Sequence, residues 1–496
     1  MKMKNYVFWF VVGSHMLYGD ECLAQVGMDA VRIAEHLSDV LPYPVEFYDV
    51  MKSNSEITEI ISKANRADDC AGVITFCHTF SPSKMWINGL SLLQKPWLIF
   101  HTQFNADIPN EAIDMDYMNL HQSAHGDREH GFIGARMRIP RKVIAGYWED
   151  NAVTDRIADW QRVAVGASFS KTLKLMRFGD NMREVAVTEG DKIEAQIKLG
   201  WQVNTWGVGK LVETMETISQ KEIDEKLAEY ADRYDLSAIT SDKDKETLRY
   251  QAVEEIAIRK LLDEQGCTAF SNTFQDLYGL RQLPGIATQN LMADGYGYAG
   301  EGDWKTSALV AIMKRMGKTN KSYSDGLSMF MEDYNYDLKQ GICLGAHMLE
   351  VDPVIAENKP CVEIHPLGIG DREDPARIVF ENKPGKGIVA SLIDIGGRFR
   401  LIVQEIECIK PTQTMPNLPV ARVMWKPEPS LTIGAECWII AGGAHHTVLS
   451  LDVTSEQMRD FARIMDIEFI LIDKNSTPAK IEEELIINDL VWKLKG

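Results

Sequence analysis

The first third of the chain alternates continuous apolar runs with helical patterns, and this limits the fold more than any other feature. Tyr6–Val12 is apolar throughout, as in a strand buried on both faces. Val26, Ala30, Val31, Ile33, Ala34 and Leu37 then recur at helical spacing. Val45–Val50, Gly72–Cys77 and Trp97–His101 are further strand candidates, with helical patterns between them. Strands separated by helices make βαβ units and a parallel sheet. Ligands of such sheets bind beyond the carboxyl ends of the strands. The loops leaving those ends, Gly13–Tyr18, His78–Lys84 and His101–Asn105, are polar and rich in histidine. Lys2 and Lys4 ahead of the first run imitate a signal peptide. The run has only the minimum length for one, and Gly13-Ser-His15 follows without an A-x-A site, so it reads as the first core strand.

The middle third continues the alternation. Leu173–Arg177 reads as a strand, and Leu248, Ala252, Val253, Ile256, Ala257, Leu261 and Leu262 mark a long amphipathic helix. The charged stretch Ser219–Lys245 reads as an exposed helical excursion. The last third changes character: Ala376–Phe380, Gly387–Ile395, Arg398–Ile406 and Glu436–Ala441 are β-rich runs separated by Pro and Gly, as in an antiparallel sheet or barrel. A helix at Ser455–Met465, a strand at Ile467–Ile472 and a helix near Ala479–Ile486 close the chain. The class is α/β, and 496 residues suit about three domains.

Charge narrows the partners. Lys plus Arg number 53 and Asp plus Glu 72, a net charge of −19. That balance repels phosphate backbones, which argues against nucleic acid while permitting a neutral sugar and favouring cations. No apolar stretch approaches the roughly 20 residues that span a bilayer, so no membrane partner is expected. Eight cysteines are scattered without a C-x-x-C and read as buried thiols in a reducing cytoplasm.

Several segments carry chemistry. Gly295–Gly300 matches G-x-G-x-x-G, but a dinucleotide fingerprint needs a strand immediately before it. Ile286–Ala293 reads instead as a helix, so these glycines read as a sharp turn into the next helix. Asp303 is placed to cap that helix, leaving Glu301 on a glycine-flanked loop where a glutamate is ordinarily solvated. Glu332 and Asp333 are embedded among Phe330, Met331, Tyr334 and Tyr336, where a carboxylate needs a helix end or a cation. His347 sits in an apolar, glycine-containing run, and His445 and His446 follow the apolar stretch Cys437–Ala441, read as a strand. On an extended segment neighbours point opposite ways, so one of the pair faces a site and the other packing. Two glutamates and two histidines make a divalent-metal set, and mixed oxygen and nitrogen ligation suits Mn²⁺, Co²⁺ or Fe²⁺. Spacing alone does not choose between His445 and His446. His121, His125 and His130 lie in a second His-rich segment, where Gly126 argues against a long helix and sugar contacts fit better than a metal. Phe178–Glu184 follows a strand and is rich in hydrogen-bonding groups.

These motifs, taken in order, resemble the L-arabinose isomerases along essentially the whole chain. They are Gly13-Ser-His-Met-Leu-Tyr-Gly19, His78-Thr-Phe-Ser-Pro-Ser-Lys-Met-Trp-Ile-Asn88, Phe100-His-Thr-Gln-Phe-Asn105 and Phe132-Ile-Gly-Ala-Arg-Met-Arg138, followed by Arg177-Phe-Gly-Asp-Asn-Met-Arg-Glu-Val185, Gly300-Glu-Gly-Asp-Trp-Lys305, Phe330-Met-Glu-Asp-Tyr334, Gly345-Ala-His-Met-Leu-Glu350 and Gly442-Gly-Ala-His-His-Thr447. The resemblance implies a Rossmann-like N-terminal domain (1–170), a central α/β domain (171–325) and a β-barrel-like C-terminal domain (326–496). It implies metal ligands Glu301, Glu332, His347 and His446, and so selects His446. It further implies one Mn²⁺ per subunit, a cytoplasmic hexamer with active sites at subunit interfaces, and a place in arabinose catabolism. Sugar contacts would come from Leu17, Tyr18, Gln122, His125, Met182, Phe274 and Tyr334. His15 and Met16 stand where the family usually has Gln and His, which makes His15 a substrate-corner residue. His365-Pro366 stands where Gln-His is usual, and His121 replaces an Asn.

The implied reaction interconverts L-arabinose and L-ribulose. A proton leaves C2, a metal-stabilised enediolate forms, and Glu301 and Glu332 share the base and acid roles. A hydride shift is the competing route. A ketol isomerase acting on D-galactose or L-fucose is the alternative enzyme, and a non-catalytic sugar-binding regulator the alternative of another class.

Overall fold

The computed structural model describes residues 5–317, 326–346, 349, 351–367, 371–418 and 420–495. They form two compact units, one of the described residues up to Ser168 and one of those from Phe169 onward. No described helix is long and apolar enough to cross a membrane.

The N-terminal unit is built on five parallel strands, β1 (Val7–Gly13), β2 (Val45–Met51), β3 (Cys70–Cys77), β4 (Trp97–His101) and β5 (Lys142–Ala145), in the order β2-β1-β3-β4-β5. The apolar runs become its centre because both faces of the sheet are covered. Along β1, Phe8, Phe10 and Val12 enter one core with Ile33, Leu37, Phe76 and Trp160, whereas Trp9 and Val11 enter the other with Ile57, Trp86 and Trp97. Such an order reverses direction between β1 and β3, and the crevice at that switch point is where these sheets take ligands.

The second unit opens with β6 (Lys174–Phe178), β7 (Gln202–Trp206), β8 (Ala269–Asn272) and β9 (Gly297–Ala299), parallel and ordered β7-β6-β8-β9. The three-residue strand β9 lies inside the glycine motif, which sequence reading took for a turn. Gly297 is needed there because a Cβ would stand 2.1 Å from the Ser307 carbonyl oxygen of the following helix, Trp304–Met316.

The rest of this unit holds the strands β10 (Ser328–Asp337), β11 (Ile342–Gly345), β14 (Gly385–Asp394), β15 (Phe399–Ile409), β16 (Val423–Pro427), β17 (His446–Ser450) and β18 (Glu468–Ile472), with β12 (Cys361–Ile364) and β13 (Ala376–Val379) as a separate hairpin. The order is β14-β17-β10-β11-β16-β15-β18, and β14 also pairs with β15, so the sheet curls back on itself as a barrel-like layer. The α/β class, with two parallel sheets and a β-rich barrel-like part, is as expected.

Two local expectations are corrected. Glu436–Ala441 is not a strand but the last half of the helix Leu431–Ala441, capped by Ser430 and ended by Gly442 in the left-handed conformation. Gly126 does not stop a helix: Ser123–Arg136 runs through it.

Candidate active site

The site in the second unit is assembled by a strand pair and a helix start. β10 and β17 run antiparallel with Glu332 directly opposite His446. Cross-strand partners share a face, so both side chains leave the sheet on the same side. His446 Nε2 lies 3.0 Å from Glu332 Oε1. Phe330 meets the His446 ring edge-on at 5.1 Å between centroids.

Glu301 arrives from β9. Its φ of 61° is a left-handed conformation that costs a non-glycine residue about 1–2 kcal/mol. The loop is held in that shape from outside. The Met182 N–H donates to the Glu301 carbonyl at 3.0 Å, and the Gly302 N–H donates to the Asn272 carbonyl at 3.0 Å. Gly302 (φ 76°) has no room for a Cβ, since the Asp180 carbonyl oxygen would stand 2.6 Å from it. The Glu301 side chain is 16% exposed, not solvated as a loop glutamate ordinarily is, and its Oε2 lies 3.3 Å from His446 Nε2.

Asp303, foreseen only as a helix cap, does more. Oδ1 accepts from the Lys305 and Thr306 N–H groups, and Oδ2 accepts from Thr306 Oγ1 at 2.7 Å and His446 Nδ1 at 2.8 Å. A carboxylate only accepts, so Nδ1 carries the proton and Nε2 presents a lone pair. That lone pair faces two glutamate oxygens. His446 Nε2 and Glu301 Oε2 are both buried and make no hydrogen bond. Atoms crowded this closely need a positive charge between them, a proton on Nε2 or a metal ion, and imidazole held by a carboxylate through its other nitrogen is the usual arrangement of a metal ligand. The residues therefore fit a divalent ion. Ligand atoms of Glu301, His445 and His446 lie within 4.8 Å of one another. His445 is the outer member, half exposed and 3.8 Å from Glu301. His347, the remaining expected ligand, lies outside the described residues.

The electrostatics agree. Burial raises the Glu301 carboxyl, but His445 and His446 outweigh it and hold the group well below the ordinary range. Burial also raises Asp303, yet Lys305 and His446 bring it down to about 2. Burial alone would lower the His446 imidazole, but Asp303, Glu301 and Glu332 push it well above its usual value, so a proton and a metal ion compete for Nε2. The pocket is thus built for positive charge.

A cleft of about 580 Å³ opens at the carboxyl ends of β6 and β8, lined by Asn181, Met182, Thr273, Gln275 and Tyr278 among others. Met182 lines this cleft, and its backbone ties the cleft to Glu301. Phe274 follows Thr273 and is buried. Tyr334 lies in β10, and nothing is described of its side chain. The polar run after β6 has a role the sequence did not show. Buried Arg177 donates to Asp180 at 2.6 Å and to Asn181, and Asn181 Nδ2 donates to the Thr188 and Gly302 carbonyls. This lattice braces the Glu301 loop.

The remaining expected contacts belong to the N-terminal unit. His15 Nδ1 accepts the Leu17 N–H at 3.1 Å, capping the single turn Met16–Tyr18. Leu17 is 82% exposed. The Phe80 ring packs at 4.8 Å from His125, and the Gln122 N–H donates to the His78 carbonyl at 3.1 Å. His121 and His125 do not share a helix, since His121 ends Met115–Leu120 and His125 lies in Ser123–Arg136.

Comparison with known proteins agrees with the motifs. Residues 2–172 match the family model of the L-arabinose isomerase N-terminal domain, 174–319 that of the central domain and 327–468 that of the C-terminal domain. An L-arabinose isomerase of Geobacillus stearothermophilus is 51% identical over 500 aligned positions, covering 99% of each chain. L-arabinose isomerase 1 of Bacillus licheniformis is 50% identical, covering 100% of this chain and 99% of its own. That of Thermotoga petrophila is 50% identical over 99% of both. The chain belongs to the L-arabinose isomerase family.

Proposed function

We propose that this protein interconverts L-arabinose and L-ribulose through an enediolate, with Glu301 and Glu332 moving the proton between C2 and C1. The observation that carries the reading is the meeting of Glu301, Glu332 and His446, with Asp303 setting the imidazole tautomer. Glu301, Glu332 and His446, with His347 from the family resemblance, would hold the ion. A divalent ion of the Mn²⁺, Co²⁺ or Fe²⁺ class supplies Lewis-acid stabilisation to charge developing on the sugar oxygens. Asp303 keeps Nε2 free to ligate. The strained Glu301 loop, pinned through Met182 and Gly302, aims one carboxylate, and the strand pairing aims the other. A carboxylate so fixed loses no orientation entropy when it takes or returns a proton. Met182 and Phe274 offer apolar surface to the sugar, joined by Tyr334.

The same reading divides the chain at about residues 170 and 325 and places it in the cytoplasm, in arabinose catabolism. It makes the protein a hexamer in which His15, Leu17, Tyr18, Gln122 and His125 serve a neighbouring subunit's site. The exposure of Leu17 suits that role. The test is turnover of L-arabinose against D-galactose in chelator-treated protein, with and without Mn²⁺. Activity on L-arabinose that returns only with the ion is the expected result. Full activity after chelation contradicts the metal assignment, and preference for D-galactose contradicts the substrate. Solvent deuterium at C1 of the ketose formed from L-arabinose in D₂O supports proton transfer, while complete retention at C1 of deuterium supplied at C2 of the substrate points to a hydride shift.

A further inference from the structure

A second cluster of ligating groups lies in the N-terminal unit, at the switch-point end of its sheet. Asp29 projects from the helix Gly19–Val40, His78 follows β3 directly, and His121 ends the helix Met115–Leu120. One ligand atom from each lies within 4.8 Å of the others. Asp29 and His78 are each 1% exposed.

The hydrogen bonds fix what these atoms offer. His78 Nδ1 stands 2.9 Å from the Leu120 carbonyl oxygen. A carbonyl only accepts, so Nδ1 bears a hydrogen and Nε2 is the ring atom turned to the cluster. Nε2 stands 3.0 Å from Asp29 Oδ2. A positive centre, either a second ring proton or a cation, ties that pair. The other Asp29 oxygen is already engaged, accepting from Gln25 Nε2 at 2.8 Å. Thus both ligating atoms have their opposite ends tied, as the outer contacts of metal ligands characteristically are. His121 lies beside them, its ring 5.5 Å from that of His78, and its Nδ1 is buried without a hydrogen-bond partner. The 3.0 Å spacing is also that of two donors about 2.1 Å from one six-coordinate ion at a right angle, roughly 3 Å apart.

We propose that Asp29, His78 and His121 form a second divalent-cation site, for an ion of the Zn²⁺ or Co²⁺ class, separate from the barrel site. Two imidazoles and one carboxylate suit those ions better than Ca²⁺ or Mg²⁺, which favour oxygen. Its place indicates a structural role. The Gln122 N–H donates to the His78 carbonyl, so an ion on His78 and His121 would clamp the start of the segment that carries Gln122 and His125. The Glu229, Glu255 and Asp294 cluster carries no such argument, because Lys226, Arg233 and Arg259 already neutralise it.

The test uses the full chain. Purified protein is stripped with chelator and titrated with Co²⁺, and bound metal per chain is counted by elemental analysis for wild type, Asp29→Asn, His121→Asn and His446→Gln. Wild type is expected to take up one more equivalent than either Asp29→Asn or His121→Asn, with loss of the corresponding visible absorption band. A wild-type count in both variants, with loss only in His446→Gln, overturns the proposal and leaves the barrel site standing. Wild-type crystals soaked in Zn²⁺ give a readout that needs no variant. An anomalous peak among Asp29, His78 and His121 supports the site, and its absence shows an Asp29–His78 ion pair only.

Discussion

Asp303→Asn separates the two jobs that one carboxylate performs. Asn caps a helix about as well as Asp, so the start of Trp304–Met316 survives. What changes is the atom facing His446. With the amide oxygen on the Lys305 and Thr306 N–H groups, the amide nitrogen meets His446 Nδ1 in place of Oδ2, which now accepts at 2.8 Å. A donor there makes Nδ1 the acceptor and moves the ring hydrogen to Nε2, where it points at Glu301 and Glu332 and blocks ligation. Removing such an outer contact typically weakens metal affinity by about 10–100-fold, or roughly 1.4–2.7 kcal/mol. Buried Lys305 also loses a carboxylate 3.7 Å away, so unfolding must be followed in parallel. The assay is activity on L-arabinose against Mn²⁺ concentration, with Asp303→Ala as the variant that also loses the cap, for about 1 kcal/mol more. A wild-type Mn²⁺ activation constant in folded Asp303→Asn would refute the tautomer argument.

Other perturbations follow from the same contacts. Glu301→Gln and Glu332→Gln should each lower kcat on L-arabinose by about 10²–10⁴-fold with unfolding unchanged, and retained turnover removes the residue from the chemistry. Gly297→Ala forces a methyl to within 2.1 Å of the Ser307 oxygen and should cost about 1–3 kcal/mol or more in denaturant unfolding; a neutral result would mean that the helix shifts freely. Burial, then Arg141, bring the His130 pKa down to about 3, so this imidazole stays neutral in the folded unit while the unfolded chain protonates near 6.5. Its depressed value makes stability fall as pH drops from about 6.5 toward 3, by about 1.4 kcal/mol per pH unit at most. His130→Gln should lose about 2–3 kcal/mol less than wild type between pH 6.5 and 4.5, followed by fluorescence of Trp86 and Trp97, whose rings lie 4.4 and 5.3 Å from that of His130. Equal slopes would contradict the burial argument.

What the sequence made legible follows from how far each interaction reaches. β1, β3 and β4 were readable because strands covered on both faces are apolar almost without interruption. Asp303 was readable as a cap because capping is local. Its bond to His446, 143 residues away, was not, and neither was the bracing of Glu301 by Arg177 and Asn181. Leu431–Ala441 was misread because Cys437–Ala441 is apolar without helical periodicity; the structure leaves Ile439 75% exposed there, and Ser430 and Gly442 were the signals that marked the helix ends. β9 is only three residues long, too short to show alternation. For His445 and His446 the chain offered two adjacent rings; strand register decides, placing His446 opposite Glu332 and leaving His445 half exposed.

The most direct measurement is anomalous diffraction at the manganese edge from crystals of the assembled protein soaked in Mn²⁺. A single peak within bonding distance of Glu301, Glu332 and His446 is the predicted result. No peak there in protein that turns over L-arabinose would contradict the account.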